Sequence, residues 1–172
     1  MKISSKLPQF GNETVLLIVA SQLGAAFYFI SRGVLAKIDY FELKKPEYSD
    51  HEGKFIRRGR GKIFASGAAY EFDKRGMTRE FLRELEKRTK TIMAKYKITS
   101  SYIFAPTHLM EQVKAVLAEH LRGNYVMSFR GNYYSQHPFE LLEKIGERRK
   151  RRVVRRRVMP TKSEAAKILR RT

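Results

Sequence analysis

The regular pattern of apolar and polar positions starts at Val15-Leu-Leu-Ile-Val-Ala20, a continuous apolar run rich in β-branched residues. After Ser21-Gln22 and Gly24 comes a second run, Ala25 to Ile30, which contains Phe27-Tyr-Phe-Ile30. Short apolar runs bounded by turn residues predict buried strands. Arg32-Gly33 predicts a turn and Val34 to Leu43 a third strand, with Ile38, Tyr40 and, less strictly, Phe41 on its buried face. Together they predict an antiparallel meander. The same region, Thr14 to Ser31, is uncharged for 18 residues, the lower limit for crossing a bilayer. The polar residues at its centre and its two β-rich clusters favour the hairpin over a membrane helix.

From Lys44 to Gly76 the pattern breaks down. Pro46, five glycines and the cluster Lys54-Phe-Ile-Arg57-Arg58-Gly59-Arg60-Gly61-Lys62 lie here. Lys62 to Ala65 and Ala68 to Phe72 read as short strands or as pieces that pack on a partner. A long connection in a small domain is mobile or functional.

Helical spacing returns at Met77 to Tyr96, with Phe81, Leu82, Leu85, Ile92, Met93 and Tyr96 on one face and Thr78 as the expected N-cap. Ser101 to Ala105 predicts a short strand. Thr107 to Arg122 predicts a helix with Leu109, Met110, Val113, Val116, Leu117 and Leu121 as its buried stripe, ended by Gly123. Tyr125 to Phe129 predicts the last strand, and His137-Pro138 opens a short helix through Ile145. Strand–helix–strand spacing implies parallel pairing. The expected fold is α/β: a mixed sheet of about five strands with helices on it.

Charge changes this picture at the C-terminal end. The chain carries 36 Lys+Arg against 17 Asp+Glu, a net +19. From Arg148 to Thr172 twelve basic residues face one acidic residue, a net +11, which leaves +8 for the rest. The expected organisation is a core over 13–147 and an Arg-rich arm over 148–172. The arm has too few apolar residues to pack, Pro160 interrupts it, and Thr161 to Arg171 could form one marginal basic helix. It is therefore expected to be disordered alone and ordered on a partner. A field of this size attracts nucleic acid or anionic membranes.

The order of elements resembles the "protein required for attachment to host cells" family. That family belongs to a wider set of bacterial and archaeal domains resembling the middle domain of class-1 peptide-chain release factors. The matching parts are Val15-Leu-Leu-Ile-Val-Ala20 with Gly24-Ala-Ala-Phe-Tyr-Phe29, Lys74-Arg-Gly-Met-Thr-Arg-Glu-Phe81, Ser101-Tyr-Ile-Phe-Ala-Pro106 with His108-Leu-Met-Glu-Gln-Val-Lys114, and Tyr125 to Phe129 with His137-Pro-Phe-Glu-Leu-Leu142. They cover roughly Glu13 to Glu147. The resemblance implies a ribonuclease-H-like sheet and a connection to translation. Two features depart from the family. A polar stretch that is often Lys-Asp-Leu-Thr is here Arg130-Gly-Asn-Tyr-Tyr134, and the Arg-rich arm is an addition. The release-factor Gly-Gly-Gln motif is absent, so peptide-release chemistry is not supported.

Three candidate nucleic-acid sites follow. In the arm, Arg148, Arg149, Lys150, Arg151, Arg152, Arg155, Arg156, Arg157, Arg170 and Arg171 can neutralise phosphates and stack on bases. About eight phosphate contacts would make affinity fall steeply with salt. In the glycine-rich loop, Lys54, Arg57, Arg58, Arg60 and Lys62 can approach a phosphate, with Phe55 able to stack. At the end of the last strand, Arg130 leads an aromatic stretch suited to single-stranded RNA, although closure of the core by Tyr133 and Tyr134 is the favoured reading there.

No Walker-type loop is present, and His51, His108, His120 and His137 lack metal spacing. A two-metal nuclease needs several carboxylates on strands, and Asp39 is the only one well inside an expected strand. No cysteine is available for disulfides or metal. The expectation is a cytoplasmic, non-enzymatic RNA-binding protein without cofactors, associated with the ribosome through rRNA and with ribosomal proteins as further partners. Stable membrane insertion is not expected. The alternatives are a DNA-binding or nucleoid-associated protein, an enzyme acting on RNA, and a host-attachment-type surface factor; charge alone does not separate RNA from DNA.

Overall fold

The computed structural model describes residues 1–44 and 67–158, with side chains described for 1–44 and 75–152. Strands β1 (Val15–Ala20), β2 (Gly24–Ser31) and β3 (Val34–Glu42) come first, followed by helix α1 (Gly67–Lys95). Then follow β4 (Ser100–Ala105), α2 (Met110–Leu117), β5 (Tyr125–Arg130) and α3 (Pro138–Val158). The five strands form one sheet in the order β3-β2-β1-β4-β5. β1 pairs antiparallel with β2 and parallel with β4, and β4 pairs parallel with β5. The architecture is therefore the expected α/β mixed sheet.

The continuous apolar runs are explained by position. β1 and β4 are the inner strands, and every residue of both is buried. A strand covered on both faces needs apolar side chains on both. Leu16, Ile18, Ala20, Ile103 and Ala105 face a core closed by α1 and α2. Val15, Leu17, Val19, Tyr102 and Phe104 face a second core, closed by Leu141, Leu142 and Ile145 of α3. The uncharged region 14–31 is β1, a turn and β2, and among the described residues no helix is long and apolar enough to cross a membrane. Ile3 and Phe10, which precede the expected core, are also buried in the second core.

Four local expectations need correction. On β3 the buried residues are Leu35 and Phe41, and Tyr40 is exposed. Ala68 to Phe72 is neither strand nor loop but part of α1, which begins ten residues before the Met77 start expected from Thr78. The stretch 68–74 contains no proline, and Gly76 alone does not stop a helix. Regular α2 is shorter than Thr107 to Arg122, although its stripe, Leu109 to Leu121, is buried apart from the partly buried Val116. Finally, α3 does not end at Ile145. It runs on to Val158, through the expected domain boundary and the first basic cluster.

Gly146 explains why the helix passes there. A Cβ at this position would lie 2.9 Å from Pro8 Cγ. The residue is a contact point where α3 meets the N-terminal segment, and it is not a helix stop.

Candidate nucleic-acid interface

α3 presents its residues to the sheet at helical spacing: Leu141, Leu142 and Ile145 are buried, and Arg149 takes the next position on the same face. Arg149 is half-buried and works as a clasp. Its Nε donates to the hydroxyl of Tyr102 at 2.7 Å, and its Nη2 donates to Glu13 Oε2 at 2.7 Å. Its guanidinium lies 4.9 Å from the ring centroid of Phe10 and 5.5 Å from that of Tyr102. Glu13 Oε2 also accepts from the Ser100 hydroxyl at 3.0 Å. Burial works to lower the Arg149 pKa, but the bond to Glu13 and the neighbouring Tyr102 outweigh it and hold it above its ordinary value. The Tyr102 phenol is raised by burial despite the opposing arginine. Arg149 is thus committed to the fold and does not offer a free cation.

Arg148, the next residue, is exposed and reaches sideways to β5. Its Nη1 donates to the carbonyl of Ser128 at 2.8 Å, and its guanidinium lies 5.0 Å over the Phe129 ring. β5 is the end of the sheet, so Arg148 satisfies a carbonyl of an edge strand. Lys150, Arg151 and Arg152 are exposed, and none pairs with a carboxylate of the described residues.

Between β5 and this part of α3 lies an open groove of about 770 Å³. Tyr125 and Phe129 of β5, with Tyr133, are its aromatic lining, and Met127 adds an apolar side chain. Lys144, Arg148, Arg151 and Arg152 are its basic lining, with Glu147 as the one acid. Lys144 Nζ lies 5.7 Å over the ring of Tyr133. Tyr125 remains 45% exposed.

Lys144 and Tyr125 were not among the sequence candidates. Lys144 is legible only with α3 continuous, since Lys144, Arg148 and Arg151 then fall at i, i+4 and i+7 on one helix face. Arg130, at the end of β5, does not line the groove and is occupied. Its Nη2 donates to Glu111 Oε1 at 2.6 Å, which with Lys114 holds the Glu111 carboxyl below its usual range.

Tyr133 packs edge-on to Phe104 at 5.1 Å, and the burial of Tyr134 raises its phenol, as expected for residues that close the core. Gly131 permits this closure. Its φ is +148°, and a Cβ there would meet the Tyr133 ring at 2.8 Å.

The remaining candidates are not assembled with this groove by the described structure. Lys54, Arg57, Arg58, Arg60 and Lys62, as well as Arg170 and Arg171, lie outside the described residues. Arg155, Arg156 and Arg157 lie on the helical backbone of α3, with side chains outside the described set. Among the described residues no group of three or more His, Asp or Glu side chains could hold a metal ion. Asp39 is bound by Arg88 at 2.7 Å, which also holds Glu84 at 2.7 Å. His120 faces Glu86 at 3.2 Å.

No protein-family model and no curated protein matches the chain, so the resemblance to the host-attachment family gains no support. Solved structures are similar in form. An archaeal translation termination factor aligns at 10% identity with a TM-score of 0.49, over 86% of this chain and 43% of its own. A translation termination-like factor of S. cerevisiae, involved in RNA quality control, aligns at 10% identity with a TM-score of 0.32, over 87% of this chain and 40% of its own. The chain thus spans less than half the length of either protein.

Proposed function

We propose that the chain is a non-enzymatic RNA-binding protein that works on the ribosome, held there by rRNA contacts of its basic C-terminal stretch. One observation carries the reading. The basic sequence from Arg148 onward continues a helix clasped to the sheet by Arg149, so Lys144, Arg148, Arg151 and Arg152 stand together beside a groove. Preordered cations lose less entropy on meeting phosphates than the same residues on a loose tail. The resemblance of element order to release-factor middle domains favours the ribosome among RNA targets.

The non-enzymatic part is supported by Asp39, whose carboxylate is engaged by Arg88 and by the Tyr40 N–H at 2.8 Å. A two-metal nuclease needs several carboxylates together on strands, and Asp39 is paired with an arginine instead.

Sucrose-gradient sedimentation with ribosomes tests the proposal. The protein is expected to travel with ribosomal subunits at low salt and to be stripped by salt. Protein that stays at the top of the gradient at low salt refutes the ribosomal reading. Equal competition by tRNA, rRNA fragments and duplex DNA would leave only non-specific polyanion binding. Magnesium-dependent cleavage of RNA, lost in Asp39→Asn, would refute the absence of catalysis.

A further inference from the structure

The groove has a shape and chemistry more particular than a basic patch. We infer that it is a seat for an unpaired RNA segment, with Tyr125 and the Arg148 guanidinium as planes on which bases stack and Lys144, Arg151 and Arg152 as the backbone clamp. This rests on the RNA-binding reading and narrows it to single strands.

Three observations favour this occupant. First, aromatic and cationic residues line one groove together, and sequence-tolerant recognition of single strands combines those two elements. Second, Tyr125 is a large ring left 45% exposed at the groove, while Arg148 offers a flat guanidinium backed by Phe129 at 5.0 Å. A tyrosine face and an arginine plane both accept stacked bases, and a base is free to stack only when it is unpaired. Third, the charge is complementary: four cations surround the single carboxylate of Glu147.

An extended acidic peptide adding to the edge of β5 is the competing occupant. The Ser128 carbonyl, which such a strand would need, already accepts the Arg148 N–H at 2.8 Å. Strand addition would have to break that bond, whereas stacking and phosphate contacts leave it in place.

The test uses the full chain and fluorescence anisotropy with a labelled mixed-sequence RNA, alone and annealed to its complement, at matched salt. An unlabelled acidic peptide serves as competitor. The single strand is expected to bind at least about ten-fold tighter than the duplex. Tyr125→Ala should weaken single-strand binding between about five- and a hundred-fold, the range of one lost base stack. Tyr125→Phe should restore it, and neither change should alter the slope of affinity against salt. Equal binding of single strand and duplex, or a Tyr125→Ala chain that binds like the parent, overturns the inference while the RNA-binding reading stands. Displacement of the RNA by the acidic peptide at comparable concentration also overturns it. Failure to bind either RNA overturns both. Circular-dichroism melting of Tyr125→Ala is expected to match the parent, and a lowered melt transfers the decision to Tyr125→Leu, which keeps an apolar side chain without a ring.

Discussion

Replacing Arg149 with methionine isolates the clasp that attaches the basic helix to the sheet. Methionine keeps much of the apolar stem and removes the charge and the donors. The ion pair with Glu13 is 31% and 39% exposed on its two sides, so it contributes at most about 1 kcal/mol. The bond to Tyr102 matters more, because Tyr102 is fully buried and Arg149 is the donor to its hydroxyl. Stripping the donor from a buried hydroxyl costs about 1–3 kcal/mol. Loss of the cation over Phe10 and Tyr102 adds roughly 0.5–1 kcal/mol. These terms amount to roughly 1.5–5 kcal/mol, a fall in Tm of at least about 3 °C and up to about 20 °C for a chain of this size.

Thermal melting by circular dichroism measures this. Tyr102→Phe should cost less, about 1 kcal/mol, since Arg149 keeps Glu13. The double variant should fall short of the sum by about 1 kcal/mol. Arg151→Met, on the exposed side, should stay within about 0.5 kcal/mol of the parent. If Arg149→Met melts with Arg151→Met and the parent, the basic helix is not part of the fold and the clasp reasoning fails.

Further predictions concern the helix crossing, pH and charge. Alanine at position 146 favours the helix by about 1 kcal/mol, yet its Cβ would meet Pro8 at 2.9 Å. Gly146→Ala should therefore lower Tm, and Pro8→Ala in the same chain should reverse the loss; an unaided rise in Tm would remove Gly146 as a contact point. Burial raises the phenols of Tyr28, Tyr102 and Tyr134 above 10.0. The fold favours their neutral forms, so that stabilisation is complete below about pH 10 and is lost as pH rises through the folded values. Melts followed across this range should decline, and less steeply in Tyr102→Phe; an identical decline would contradict the role given to Tyr102. Lys150→Ala with Arg151→Ala should weaken RNA binding without moving Tm, and a fall in Tm would show that these side chains are structural.

Much of the fold was legible because burial on two faces leaves a strong mark. β1 and β4 are apolar throughout since each is an inner strand, and the α2 stripe reports one buried face. The ends of α1 and α3 were misread for a shared reason. Both expected ends, before Met77 and after Ile145, fall beside a glycine, yet Gly76 stands in open space within a helix and Gly146 makes room for Pro8. The basic residues after Gly146 appeared unable to pack because they are charged. Arg149 packs through its stem and finds Glu13 and Tyr102, partners that lie 136 and 47 positions away. Local composition cannot report such pairs. The groove was hidden for the same reason: its aromatic and basic residues come largely from β5 and α3, and only a continuous α3 brings them together.

The central claim, that cations fixed along α3 hold RNA, is tested most directly by the salt dependence of binding in a Lys144→Ala, Arg151→Ala, Arg152→Ala chain. A single strand loses about 0.7 from the slope of log affinity against log salt for each phosphate contact removed. The triple variant should therefore be shallower than the parent by about 2, with an unchanged melt. A slope equal to the parent's, or a parent whose affinity does not respond to salt, would contradict the account.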